Sequence, residues 1–281
     1  MTAAALAAAV IPGLWSGLCV RHYELHSDKV SKPVRFALIT DLHSCEYGDG
    51  QSELLELLDA QAPDAVLMSG DIIDDRRPTD NAEALLAAIG GRYPCYYVTG
   101  NHEYRGGEEA FRERMELLTE HGVNRLDDAS VTVEINGEIV SICGVNDPSV
   151  CRLYSSYLGD SLGFRYEEEY VRRVNEVTGT ADDDTFTVLL AHRPEYCEAY
   201  LECGCDLTVA GHAHGGQWRI PGIVNGIFAP GQGFFPKYAG GMYTDGDSAM
   251  IVSRGLSKSH MPIPRIYNRT ELVVIDVLPE R

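Results

Sequence analysis

Short apolar runs and amphipathic stretches alternate along most of the chain. The run at 34–40 predicts a buried strand, and the leucine spacing of 52–61 predicts a helix with one apolar face. The same reading gives strands over 65–69 and 93–99 and helices over 81–89 and 108–121, the last closed by Gly122. Residues 131–135 and 138–143 alternate around Asn136-Gly137, a strong hairpin turn signal. Helices are expected over 164–177 and 194–202, and strands over 185–191 and 206–210. The final third adds strands over 248–253 and 271–277, and residues 211–246 read as a loop rich in Gly, Pro and aromatics. Strand–helix alternation followed by further strands predicts an α/β domain with stacked sheets and helices outside, over residues 33–281.

Composition narrows the partners. The 281 residues carry 42 acidic against 23 basic side chains, a formal charge of −19. Such a balance argues against a nucleic-acid polymer as partner, because gripping a phosphate backbone needs a basic face. An anionic substrate would then need local positive charge, and metal ions are the obvious source. The eight cysteines form no CxxC pair and read as reduced, mostly buried thiols; Cys203-Gly-Cys205 alone is a poor metal signal.

The first twenty residues carry no charged side chain, about the length of a membrane-spanning helix. Arg21, Lys29, Lys32 and Arg35 follow, which by the positive-inside tendency would keep the main domain in the cytoplasm. The expectation is that residues 1–25 anchor the chain in a membrane, with a helix packed on the domain, and so a soluble cytoplasmic protein, as the alternative.

The chemistry-bearing residues stand just after the apolar runs. These are Asp41-Leu42-His43, Gly70-Asp71-Ile72-Ile73-Asp74, Gly100-Asn101-His102-Glu103, His192-Arg193-Pro194-Glu195 and Gly211-His212-Ala213-His214. In open α/β sheets, loops at the carboxyl ends of strands converge on the ligand. Asp, His and Asn make a nitrogen and oxygen donor set suited to Mn, Fe or Zn. A single His near an apolar run is more often a hydrogen-bonded core residue than a ligand. Five such pieces, each at a strand end, are not readily a coincidence.

The order DxH, GDxxD, GNHE, H and GHxH resembles the calcineurin-like metallophosphoesterases. Pro63-Asp64, Gly215-Gly216-Gln217 after the HxH, Val252-Ser253-Arg254-Gly255-Leu256, Arg265 and Glu271-Leu272 are similar to the membrane-associated YkuE/YaeI-type branch. Two departures stand out. That branch commonly has GNHD where this chain has Glu103, and its exported members begin with a twin-arginine signal that this sequence does not show. The resemblance implies an α/β/β/α sandwich of two mixed sheets and a centre of two metal ions (Mn, Fe or Zn). In it Asp71 bridges both ions, Asp41, His43 and His214 complete one, and Asn101, His192 and His212 complete the other. A hydroxide between the ions would attack phosphorus in line, with His102 as general acid and Asp74 orienting a ligand or His102. Arg193 either touches substrate phosphate or holds an ion pair. Asn146-Asp147-Pro148 either turns the chain or lines the site, and Phe234, Phe235, Tyr238 and Tyr243 either pack a long loop or form an apolar wall for an acyl chain or a base; the turn and the packing are the preferred readings. The implied substrate is a membrane-linked phosphodiester or pyrophosphate, such as a phospholipid or a UDP-2,3-diacylglucosamine-like glycolipid. A soluble nucleotide diester or a phosphoprotein is the alternative, and a non-catalytic scaffold the remote one.

Overall fold

The computed structural model describes residues 11–14, 17–150, 166–258 and 264–280. Among the described residues, fourteen strands form two six-stranded sheets and one short ribbon. In the first sheet the order is β1 (Cys19–Ser27), β14 (Glu271–Pro279), β2 (Val34–Ile39), β3 (Ala65–Ser69), β4 (Cys95–Val98) and β5 (Asn124–Arg125). The second runs β12 (Gly241–Asp245), β13 (Ser248–Val252), β9 (Leu207–Ala210), β8 (Phe186–Leu190), β7 (Glu138–Gly144) and β6 (Ala129–Ile135). The ribbon pairs β10 (Phe228–Ala229) with β11 (Gly233–Phe234).

Both sheets are mixed. β2, β3, β4 and β5 run parallel, while β14 lies antiparallel to β2. β7, β8, β9 and β13 run parallel, with β6 and β12 antiparallel at the edges. The parallel strands are continuous apolar runs because both of their faces are covered. Between the sheets, Phe36, Leu38, Leu67, Val188, Leu190, Val209, Ile251, Val273 and Ile275 form one core. Helices α1 (Ser52–Gln61), α2 (Asp80–Ile89) and α3 (Glu108–Glu120) bring Leu54, Leu58, Leu85, Leu86, Ile89, Met115 and Leu118 against the far face of the first sheet. Helices α4 (Tyr166–Thr178) and α5 (Cys197–Glu202) cover the second with Tyr170, Val174, Cys197 and Tyr200. Each fully buried Leu or Ile contributes about 1.5–3 kcal/mol relative to exposure. The result is the expected α/β/β/α sandwich.

Three sequence expectations change. The membrane localisation is corrected. The described part of segment 1–20 is a single turn, Ile11–Leu14, and Cys19 already begins β1. The Gly13 carbonyl accepts the Tyr267 N–H at 2.7 Å, tying that turn to the fold, and β1 pairs in parallel with β14 from Cys19↔Glu271 onward. No helix among the described residues is long and apolar enough to cross a membrane. The backbone hydrogen bonds that a spanning helix would make internally are here made to a neighbouring strand. Residues 1–10 of the segment, and Cys151, lie outside the described residues. Second, β1 was not expected as a strand. Third, the stretch expected as a loop over 211–246 contains β10, β11 and β12.

Candidate metal centre

The loops that follow β2, β3, β4, β8 and β9 meet at the seam between the two sheets. Asp41 and His43 follow β2, Asp71 follows β3, Asn101 and His102 follow β4, His192 follows β8, and His212 and His214 follow β9. All are buried, and Asn101 is the most exposed of them at 9%. Asp41, His43, Asp71, His212 and His214 all hold positive φ between 48° and 64°, where non-glycine residues are uncommon. Five such residues at one place mean that the tertiary structure dictates their backbone.

Two glycines show how tightly the loops are drawn together. Gly70 has φ 80°, and a Cβ there would collide with the Gly100 nitrogen of the neighbouring loop. Gly255 has φ 71°, and a Cβ there would sit 2.6 Å from the Asp41 Cβ. Neither position tolerates a side chain.

Donor atoms gather in contiguous groups. Within each of Asp41/His43/His214, His43/Asp74/His102 and Asp71/His192/His212, the donor atoms lie within 4.8 Å of one another. Asp71 Oδ2 stands 3.5 Å from His43 Nε2 and 3.2 Å from His192 Nε2, so one carboxylate oxygen faces both the first group and the third. Asp71 Oδ1 accepts the His102 backbone N–H at 2.8 Å, which fixes the carboxylate plane.

The ring orientations follow from the acceptors behind them. His192 Nδ1–H donates to the Ser69 carbonyl at 2.7 Å and His43 Nδ1–H to Asp74 Oδ2 at 3.0 Å. A carbonyl or carboxylate behind Nδ1 leaves Nε2 to face a metal, the usual outer support of a ligating imidazole. Asn101 Oδ1 is buried with no hydrogen-bond partner among the described residues, and His212 turns its Nδ1, 3.2 Å from His192 Nε2, toward the third group. A buried acceptor left without a partner is costly, so Asn101 Oδ1 is suited to a cation, and an unprotonated His212 Nδ1 offers a further donor atom. The donor set and these two atoms fit two metal ions.

Electrostatics agree. Burial pushes the Asp71 carboxyl up, but His192, with His43 and His102, outweighs it and holds the carboxyl well below the usual range. Burial opposes the charged form of His192, yet Asp71 raises it to about 10. Burial and then the neighbouring His192 push His212 well down. For Asp74, burial is overcome by the His43 hydrogen bond and the Arg76 backbone N–H, and its carboxyl is held far down.

Sequence reasoning singled out the ligand types and Asp74 as a support, but missed the other supports. Asp75 Oδ1 lies 2.5 Å from His102 Nδ1, whereas Asp74 Oδ2 is 3.8 Å away, so Asp74 serves His43 and Asp75 serves His102. The consecutive acids after the GD motif were the only signal. Glu103 is buried and accepts the backbone N–H groups of Asp71, Ile72, Ile73 and Gly100 at 2.8–3.2 Å, joining the loops after β3 and β4. Arg193 is gripped in two-pronged fashion by the fully buried Asp147, at 2.6 and 3.1 Å, so Asn146-Asp147-Pro148 does more than turn the chain. Of the loop aromatics, Tyr238 is buried, whereas Phe234 and Phe235 are 74% and 68% exposed.

The match to known proteins covers this framework. The calcineurin-like phosphoesterase family matches residues 34–216, from β2 through the HxH loop. The chain belongs to that family. The metallophosphoesterase YkuE of Bacillus subtilis is 26% identical over 243 residues, covering 84% of this chain and 76% of its own. The phosphodiesterase YaeI of Escherichia coli K12 is 23% identical over 241 residues, covering 84% and 80%. These two support the branch that the longer motifs resembled. The chain spans about half to two thirds of the length of the first curated relatives it matches. Among solved structures, TT1561 of Thermus thermophilus superposes with a TM-score of 0.51 at 11% identity, covering 80% of this chain and 91% of its own, which bears on the fold alone.

Proposed function

We propose that the chain is a two-metal phosphoester hydrolase acting on phosphodiesters. The observation that carries this reading is the position of Asp71 Oδ2, facing His43 Nε2 on one side and His192 Nε2 on the other. In the reading, Asp71 bridges the ions, Asp41, His43 and His214 hold one, and Asn101, His192 and His212 hold the other. When bound, the two ions would supply positive charge for the phosphoryl oxygens and lower the pKa of a water toward neutrality. The protein's share is positional. Ser69 O and Asp74 fix the two imidazoles, Glu103 fixes the loops, and Asp75 fixes His102. His102 holds its proton on Nε2 for the leaving oxygen, which departs as an alcohol when the P–O bond breaks.

The similarity to YaeI, a phosphodiesterase, supports a diester over a monoester. A lipid-linked diester or pyrophosphate is the finer reading from the branch; it rests on that resemblance alone, since no helix among the described residues is long and apolar enough to cross a membrane. Rates on a soluble diester and on the same headgroup in vesicles separate the two.

The test uses the full chain loaded with Mn, Fe or Zn and a panel of aryl mono- and diesters. Asp71→Asn should lose bound metal and activity together. His102→Ala should retain the metal and lose about 10²–10⁴-fold in rate. Metal-loaded protein that cleaves no phosphoester, activated aryl esters included, would refute the proposal.

A further inference from the structure

Beside the centre, arginines outnumber the acids that could balance them. Glu271 opens β14, and its strand pairs Val273 with Leu38 of β2, which places Glu271 at the same end of the sheet as Asp41. Arg254 Nε lies 3.3 Å from Glu271 Oε2, and Arg21 Nε lies 3.9 Å from the same oxygen. Arg254 also precedes Gly255, whose Cα packs against Asp41. Arg219 comes from the loop five residues beyond His214. Its Nη2–H donates to Asn225, while its Nη1 is buried with no hydrogen-bond partner among the described residues. Arg265 is 3% exposed, donates Nη2–H to the Arg254 carbonyl at 2.8 Å, and likewise leaves Nη1 without a partner among the described residues. The Arg219 Nη1 and the Arg254 side chain converge on one point, since a Cβ on Gly240 would lie 3.4 Å from the first and 3.0 Å from the second's Cγ.

Guanidinium groups keep their charge in any protein environment, so they cannot relieve this crowding by losing protons. One buried carboxylate does not balance Arg21, Arg219 and Arg254. An oxyanion would, by accepting the free N–H donors in the forked geometry that guanidinium and phosphate share. Arg21 is 45% exposed and Arg254 14%, so the cluster is open to solvent on one side. Burial and the neighbouring Arg254 push Arg219 down to about 10, in keeping with a cation that has too few acids around it.

We infer that Arg219, Arg254 and Arg21 form an oxyanion subsite next to the metal centre, which receives a second anionic group on the phosphodiester substrate. The inference rests on the proposed hydrolase reading and names its substrate class: diesters carrying a further phosphate or carboxylate. In a chain of net charge −19, this subsite supplies positive charge that does not depend on metal.

The experiment uses the metal-loaded full chain and 4-nitrophenyl phosphodiesters whose second alcohol is an alkyl chain of graded length ending in methyl, carboxylate or phosphate. At a matching length, the anionic esters should show about tenfold lower KM than the methyl ester, roughly the worth of one charge-assisted contact. Arg219→Gln should raise the KM ratio of anionic to methyl ester from about one tenth to about one, and Arg254→Lys, which keeps a cation beside Glu271, should raise it only part of the way. The phosphate and carboxylate arms tell which oxyanion is preferred. An equal or lower KM for the methyl ester at every length, or a ratio unchanged by Arg219→Gln, overturns the subsite. If no ester is turned over, the hydrolase reading fails separately, and calorimetric titration with inorganic phosphate decides the subsite. A binding event lost in Arg219→Gln supports it, and identical isotherms for the two proteins overturn it.

Discussion

At the scale of single residues, three of the centre's five imidazoles are each held by a named acceptor. Asp74 holds His43, Asp75 holds His102, and Ser69 O holds His192. Arg193 belongs to the same support, because it neutralises Asp147, a carboxylate with no solvent exposure. Burial opposes the charge of Asp147, but Arg193 holds its carboxyl below the ordinary 3.8. A depressed folded pKa means the pair's stabilisation is complete above that ordinary value and is lost as pH falls through the folded pKa. Arg193→Met leaves the buried carboxylate unpaired and should cost about 3–5 kcal/mol near neutral pH. The deficit should shrink as pH is lowered toward the point where Asp147 takes up a proton. Thermal unfolding of both proteins across pH checks this, and a deficit that grows on acidification would contradict it. The ligand types were legible in the sequence because Asp, His and Asn recur right after apolar runs. Asp75, Glu103 and Asp147 were not, because one acid in an acidic chain looks like any other until its neighbours are known.

At the scale of elements, the loops are the functional units and the strands aim them. The loops after β3 and β4 are joined through Glu103, whose two oxygens take four backbone N–H groups. Glu103→Gln turns one oxygen into a donor facing two of those N–H groups. It should cost about 2–3 kcal/mol, because buried donors lose their acceptor, and it should lower metal content by loosening Asp71 and Asn101. Denaturant unfolding together with metal analysis reads both effects, and a variant with normal stability and full metal would sink the clamp. The central strands were legible because parallel strands covered on both faces are unbroken apolar runs. β1 was not, since an edge strand carrying Arg21, His22, Glu24 and His26 hides its pattern behind charge and sits directly after an apolar stretch. The two-residue strands β10 and β11 are too short to leave any periodicity.

At the scale of the whole molecule, the centre joins the two sheets. Asp41, His43, Asp71 and Asn101 come from the first, and His192, His212 and His214 from the second. Each proposed ion would take ligands from both, so ion binding requires docked sheets. Ligands that bind only the folded state stabilise it by mass action. Chelation should therefore lower Tm, and restoring metal at about 100 times its Kd should return about 2.7 kcal/mol. Scanning calorimetry with and without chelator tests this, and an unchanged Tm would argue against ions bridging the sheets.

The placement of β14 between β1 and β2 bears on how the molecule is made. Leu38 near one end of the chain pairs with Val273 near the other, so the strand leading to Asp41 gains its second neighbour only after nearly all the intervening chain has left the ribosome. Contacts so distant in sequence close slowly. During synthesis the first sheet's half of the donor set emerges well before His192, His212 and His214. The nascent chain thus passes through a stage with Asp41, His43, Asp71 and Asn101 but no imidazoles from the second sheet to complete the proposed ion sites. Full metal loading then belongs to the finished protein.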